Sequence, residues 1–206
     1  MARDLIDLSP PGLDEIFGIL SVSEALLGQP PEYDLVVVDT APTGHALRLL
    51  EMPAKALEWV HTLLAILLKY RKVTGLGGVA SDLLELAKQM RQFLDLLHDP
   101  HRTRLVAVTR AAQLPRLETT RLLVKVAKMK IAVSAVLVNA VTEGVCVRCR
   151  RSAAVQQREI KALPPAHAKL LAPEVAPPPR GIGELRRWGA TWQMGIMGSM
   201  GRMGQR

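Results

Sequence analysis

Aromatic residues are scarce in this chain: three Trp, two Tyr and two Phe, or 3% of 206 residues. A surface that binds single strands by stacking bases needs more of them, so that class is set aside. Cysteine is scarcer still, with two residues. This excludes a disulfide-built secreted scaffold and fits a reducing cytosol. Long apolar runs are missing as well. The longest strongly apolar stretch, Trp59 to Leu68, falls well short of the ~20 residues that a bilayer-spanning helix requires. Residues 1–30 hold Asp4, Asp7, Asp14 and Glu15 and no secretory pattern. The expectation is a soluble, cytoplasmic protein without a transmembrane segment.

What is there is a core. Hydrophobic residues make up 49% of the chain, which excludes disorder for most of its length. The size suits one domain, or one domain with a helical insert. Lys and Arg number 27 against 19 Asp and Glu, a formal charge of +8. The basic residues are interspersed with acidic ones except at Arg148, Arg150 and Arg151. That pattern reads as a solvated surface and not as a specific nucleic-acid face.

Residues 1–33 read as an amphipathic lead-in with a turn at Pro10-Pro11-Gly12 and a helix start near Asp14-Glu15. Tyr33-Asp34-Leu35-Val36-Val37-Val38-Asp39 has the unbroken aliphatic character of a strand buried on both faces. It turns through Thr40-Ala41-Pro42-Thr43-Gly44 into a helical pattern that Pro53 is expected to interrupt. Helices are predicted over 54–71 and over 81–98, the second with Ser81 as N-cap and a stop at Asp99-Pro100. A glycine-rich joint, Thr74 to Gly78, lies between them. The apolar positions of 54–71 cover more than one face, so this helix packs on two sides or offers apolar surface to a partner. Further strands are predicted at Leu105–Thr109 and Ile131–Asn139, with helices at 117–128, 150–163 and near 182–192. The stretch with Pro164, Pro165, Pro173 and Pro177–Pro179 reads as proline-rich connection, and Gln193–Arg206 as a disordered Met/Gly tail. Strands alternating with helices imply an α/β fold with a parallel sheet and helices on both faces.

Ligands of open α/β sheets sit at the carboxyl ends of the strands. An Asp closing a buried strand is aimed there and can hold Mg²⁺ directly or through water. Gly44 allows close approach of a phosphate, and Thr40 or Thr43 can supply a hydroxyl. The plainer alternative is a helix cap.

The segment Asp39-Thr40-Ala41-Pro42-Thr43-Gly44-His45, continuing as Ala46-Leu47-Arg48-Leu49-Leu50, resembles the switch II signature of the ArsA-type ATPases. These include arsenite-pump ATPases and the targeting factor for tail-anchored membrane proteins. Ser9-Pro10-Pro11-Gly12-Leu13-Asp14-Glu15, Leu114 to Arg121, Val138-Asn139, the Cys146/Cys149 pair and Arg180-Gly181 extend the resemblance over about residues 6–192. It implies a deviant P-loop NTPase with a parallel sheet and a helical subdomain, here 54–98 within a partial domain over 1–192, followed by the tail 193–206. It also implies ATP and Mg²⁺ as cofactors and a homodimer as the working form. Asp39 would be the switch II acid beside Mg²⁺ and the attacking water. Thr40, Ala41, Pro42, Thr43, Gly44 and His45 would line the nucleotide. Asn139 would hydrogen-bond adenine, with donor and acceptor in one amide, and Pro173 would pack beside it.

One departure is large. An ATPase of this class cradles its phosphates in a glycine-rich loop with a lysine, and no G-x-x-x-x-G-K-[ST] occurs in the 206 residues. Gly75-Leu76-Gly77-Gly78 has glycines but no lysine. The chain therefore resembles the C-terminal part of such an ATPase, truncated at its N-terminus, and is expected to be inactive alone. The alternative is a non-catalytic, zinc-linked dimerisation module.

Cys146-x-x-Cys149 offers two thiolates, half of what a structural zinc site takes. A second chain could contribute its own pair, which matches the family's zinc-clasped dimer. A redox pair, idle thiols, or completion by His98, His101 or His167 are the other readings. The helices over 54–98 could form a groove for a hydrophobic client helix or serve a membrane transporter; an ordinary helix pair packed on itself is the plain alternative. No cysteine lies there, which disfavours metalloid binding.

Overall fold

A computed structural model describes residues 13–28, 30–40, 43–69 and 77–195. The chain divides into two compact units, Met1–Arg102 and Thr103–Arg206.

The described part of the first unit is helical: α1 (Leu13–Leu27), α2 (Thr43–Lys69) and α3 (Gly77–His98). Its core gathers Ile19 from α1, Ala56 from α2, and Met90, Phe93, Leu96 and Leu97 from α3. On α2, Pro53, Ala56 and Val60 recur at helical spacing and are all buried. Burying that stripe overrides a local rule. Pro53 does not end the helix as expected but lies inside it, fully buried. The ring removes the bond to the carbonyl of Leu49, and the packing of its neighbours holds the helix across the gap. Away from that stripe, Trp59, Ile66 and Leu68 are exposed. Helix α3 begins at Gly77, so Ser81 is an interior residue and not the expected N-cap. Of the expected joint, Thr74 to Gly78, residues 74–76 lie outside the described residues, and Gly77 and Gly78 form the start of α3. A small cavity of about 250 Å³ between α2 and α3 is lined by His61, Leu64, Leu84, Ala87 and Arg91, among others.

Tyr33–Asp39 was expected as a buried strand, and the structure corrects this. The segment is irregular and pairs with no strand among the described residues. Leu35 is 76% and Val37 83% exposed. A strand buried on both faces needs a ladder on each side and cover above and below, and among the described residues none of these meets the segment.

The second unit holds β1 (Leu105–Arg110), α4 (Gln113–Lys128), β2 (Val133–Val141), α5 (Val147–Lys161), β3 (Ala168–Pro173), α6 (Gly181–Gly189) and β4 (Gln193–Met194). The sheet order is β1-β2-β3-β4. The first two pairings are parallel and the last antiparallel. Strand order follows chain order, so right-handed crossovers place α4 and α5 on one face of the sheet. Between that face and the helices lie Ala107, Leu123, Val136, Val138, Ile160 and Leu163. The expectation of helices on both faces fails for β1: its residues alternate, with Ala107 and Thr109 buried and Val106 and Val108 exposed.

Strand β3 lies in the stretch read as proline-rich connection. Its Lys169 Nζ donates to the carbonyls of Ile160 and Leu163, 3.2 and 3.1 Å away, satisfying acceptors at the end of α5. Pro173, which has no N–H, is its last residue. Gln193 and Met194 pair with Leu171 and Leu170, so the tail is ordered at its start; residues 196–206 lie outside the described residues. No helix among the described residues is long and apolar enough to cross a membrane.

Candidate functional site

The carboxyl ends of β2 and β3 lie side by side, with Val141 opposite Pro173 in the ladder and Glu174 N–H donating to the Val141 carbonyl at 2.9 Å. Asn139 was expected at the very end of its strand but sits two residues earlier, because β2 runs on to Val141. The ladder is irregular there, between Val138 and Val141. Ala140 adopts a φ of 55°, and the Asn139 Oδ1 accepts its N–H at 2.8 Å. An Asx side chain bonding the backbone in this way stabilises a left-handed neighbour. The carboxamide is thereby fixed with its Nδ2 as the donor end. Pro173 is buried, and its carbonyl accepts the Trp188 Nε1–H at 3.0 Å, tying α6 to the end of β3. Trp188 and Trp192 meet edge to face with centroids 5.1 Å apart. Asn139 and Pro173 thus share the sheet edge where α/β folds hold ligands.

The second group expected from sequence lies in the first unit. Asp39 and Thr40 are exposed on irregular backbone. Ala41 and Pro42 lie outside the described residues, and Thr43, Gly44 and His45 form the first turn of α2. The segment therefore opens a 27-residue helix, whose first N–H groups have no partner within the helix and favour negative charge. Just upstream, a hydrogen bond and charge from Glu32 push the exposed Tyr33 phenol above its ordinary pKa.

The third group is the cysteine pair, which follows β2 directly. Cys146 is the N-cap of α5 and its Sγ accepts the Cys149 N–H at 3.0 Å. This cap starts the helix at Val147 instead of the expected 150. The two sulfurs are joined as a disulfide, with Cα atoms 5.1 Å apart. The bridge closes a single helical turn, so the exclusion of a disulfide-built scaffold is unaffected. Bonded to each other, these sulfurs are not metal ligands; reduced, the same pair presents two thiolates on one side of one turn, which fits half of a tetrahedral zinc site. No group of three or more His, Cys, Asp or Glu able to hold a metal occurs among the described residues. Arg148, Arg150 and Arg151 are exposed on the first turns of α5.

Sequence reasoning missed Gly144 and Gln156. Gln156 bonds Thr142 on the loop before the cysteines, through its Oε1 at 2.8 Å and its Nε2 at 3.1 Å. Its signal was present: Cys149, Ser152, Gln156 and Ile160 follow one another at helical spacing and form the inward stripe of α5.

Against known proteins, the family described as anion-transporting ATPase matches residues 4–170. ATPase GET3B of Arabidopsis thaliana is 31% identical over 178 residues, covering 78% of this chain and 42% of its own. ATPase GET3 of Mycosarcoma maydis is 30% identical over 176 residues, 78% of this chain and 52% of its own. ATPase GET3 of Zygosaccharomyces rouxii is 28% identical over 173 residues, 73% and 47% respectively. The chain spans about half the length of the curated relatives it matches.

Proposed function

The chain belongs to the anion-transporting, ArsA-type ATPase family, and from that premise we propose that it is the switch-bearing part of an ATP-binding and ATP-hydrolysing protein. The observation that carries this is Asp39-Thr40-Ala41-Pro42-Thr43-Gly44-His45 leading straight into the N-terminus of a 27-residue helix. Mg²⁺, when bound with ATP, neutralises phosphate charge and orients the γ-phosphoryl group. The exposed Asp39 carboxylate holds that ion or its water, and the turn through His45 follows the presence of the γ-phosphate. Asn139 fixes adenine through its amide, and Pro173 offers an apolar wall beside it.

Movement of the turn is passed along α2, because Thr43 to Lys69 is one uninterrupted helix. That helix also carries the exposed Trp59, Ile66 and Leu68. In this reading nucleotide state controls an apolar surface for a hydrophobic client helix or a membrane transporter, and the working form is a cytoplasmic homodimer. Cys146 and Cys149, when reduced, would hold one zinc ion together with the same pair of a second copy.

The lysine loop that cradles phosphates is not among these 206 residues, so the chain alone should not turn over ATP. Mg·ATP turnover by the chain, compared with a form extended upstream in its reading frame through a G-x-x-x-x-G-K-[ST] loop, tests the proposal. Turnover confined to the extended form supports it. No turnover in either leaves the zinc-linked dimerisation module as the better reading.

A further inference from the structure

Between β2 and α5 the chain makes a turn whose shape is set by groups outside the cysteine pair it presents. Gly144 precedes Cys146 by two residues and has a φ of 136°, a conformation that side chains other than glycine's rarely adopt. A Cβ built there would lie 3.2 Å from the Cys149 Sγ and 3.3 Å from its Cβ. The backbone angle calls for glycine, and a side chain there would also press on Cys149, which would have to give by a few tenths of an ångström.

The start of the turn is held from α5. Gln156 Oε1 accepts the Thr142 N–H at 2.8 Å, and its Nε2 donates to the Thr142 Oγ1 at 3.1 Å. The same hydroxyl lies 3.4 Å from the Ser152 Oγ. The other end is held by the Cys146 cap, whose carbonyl accepts the Arg150 N–H at 2.9 Å. We propose that Gly144 and Gln156 are positioning residues for Cys146 and Cys149: they fix the turn so that both sulfurs meet on one side of it, joined to each other or presented together to a soft cation.

Helix α5 does not need this clamp to stay in place. Ile160, with Leu163 just beyond the helix end, packs against the sheet, Glu159 pairs with Arg116 of α4 at 2.7 Å, and Lys169 donates to the Ile160 and Leu163 carbonyls. Loss of the clamp should therefore change the behaviour of the sulfurs more than the fold. The proposal rests on the zinc reading only for its cation arm, and the two can fail separately.

The test uses the reduced 206-residue chain and the variants Gly144→Ala, Gln156→Leu and Gln156→Glu. Closure of the dithiol by glutathione disulfide is followed by thiol titration. One thiolate displaces glutathione to form a mixed disulfide, and the second displaces the other glutathione, so two electrons leave the pair as two glutathione thiols form. Zinc uptake is followed by competition with a chromophoric chelator, and folding by thermal melting. Closure should slow ~10-fold or more in Gly144→Ala and several-fold in Gln156→Leu, since misplacement by ~1 Å can cost an intramolecular reaction as much as ~100-fold. Gln156→Glu, which keeps the acceptor for the Thr142 N–H, should recover part of the rate.

Wild-type closure rates in both Gly144→Ala and Gln156→Leu, with melting unchanged, overturn the proposal. Should Gly144→Ala fail to fold, Gln156→Leu and its recovery by Gln156→Glu decide alone. Slowed closure in a chain that takes up no zinc supports the positioning role and removes the zinc reading. Uptake near half an atom per chain, with closure and affinity unaltered in the variants, does the reverse.

Discussion

The helical unit and the sheet unit hold their candidate residues in opposite ways. In the sheet unit each is fixed by a named bond: Asn139 by the Ala140 N–H, Pro173 through Trp188, and the cysteine turn by Gln156. In the helical unit the most diagnostic segment, Asp39 to His45, starts on exposed, irregular backbone. The difference teaches that chemical identity and geometric order are separate properties of a site. A parallel sheet positions residues through its own ladder, whereas a segment proposed as a switch must be free to respond to what it detects.

Changes that attack the two units separately would break or sharpen this contrast. The largest effect is expected for Val136→Asp, which puts a charge at a fully buried position of β2. It should cost more than ~4 kcal/mol and unfold the sheet unit. Near-ultraviolet dichroism from the Trp188–Trp192 pair should vanish while the helical far-ultraviolet signal of the first unit remains. Simultaneous loss of both signals would mean that the units do not fold separately. Met90→Ala, at the fully buried centre of the helical core, should cost about 2–5 kcal/mol, read as a lower urea midpoint for the helical signal. Lys169→Met removes a donor shared by the Ile160 carbonyl in the last turn of α5 and the Leu163 carbonyl just beyond it. A loss of about 1–2 kcal/mol is expected, with faster amide exchange confined to the last turn of that helix. Asp39→Asn should shift stability by no more than ~0.5 kcal/mol, because the side chain is exposed; a melt on the 206-residue chain checks this.

Much of the sheet unit could be read from its residues. Leu105–Thr109 and Ile131–Asn139 carry enough β-branched side chains to be recognised, and each lies within one residue or two of the observed strand. Ala168–Pro173 has no β-branched residue and is flanked by prolines; it becomes a strand through its ladder to β2 and the hold of Lys169 on α5. Such tertiary causes leave no local mark. Pro53 shows the converse, a strong local stop signal overruled by burial. The start of α5 was misplaced because sulfur is an unusual capping atom, outside the set by which N-caps are recognised. Tyr33–Asp39 has the composition of a buried strand without the neighbours that make one. Its chemistry as a motif was readable all the same, since residue types at fixed spacing survive where geometry does not.

The most direct test is Mg·ATP turnover by a form extended upstream to include a G-x-x-x-x-G-K-[ST] loop, measured with and without Asp39→Asn. Turnover is expected in the extended form, none in the 206-residue chain, and a loss of at least ~100-fold on Asp39→Asn, the scale expected when a group that positions metal and water is removed. Equal turnover with Asp39→Asn, or turnover by the short chain alone, would contradict the proposed function.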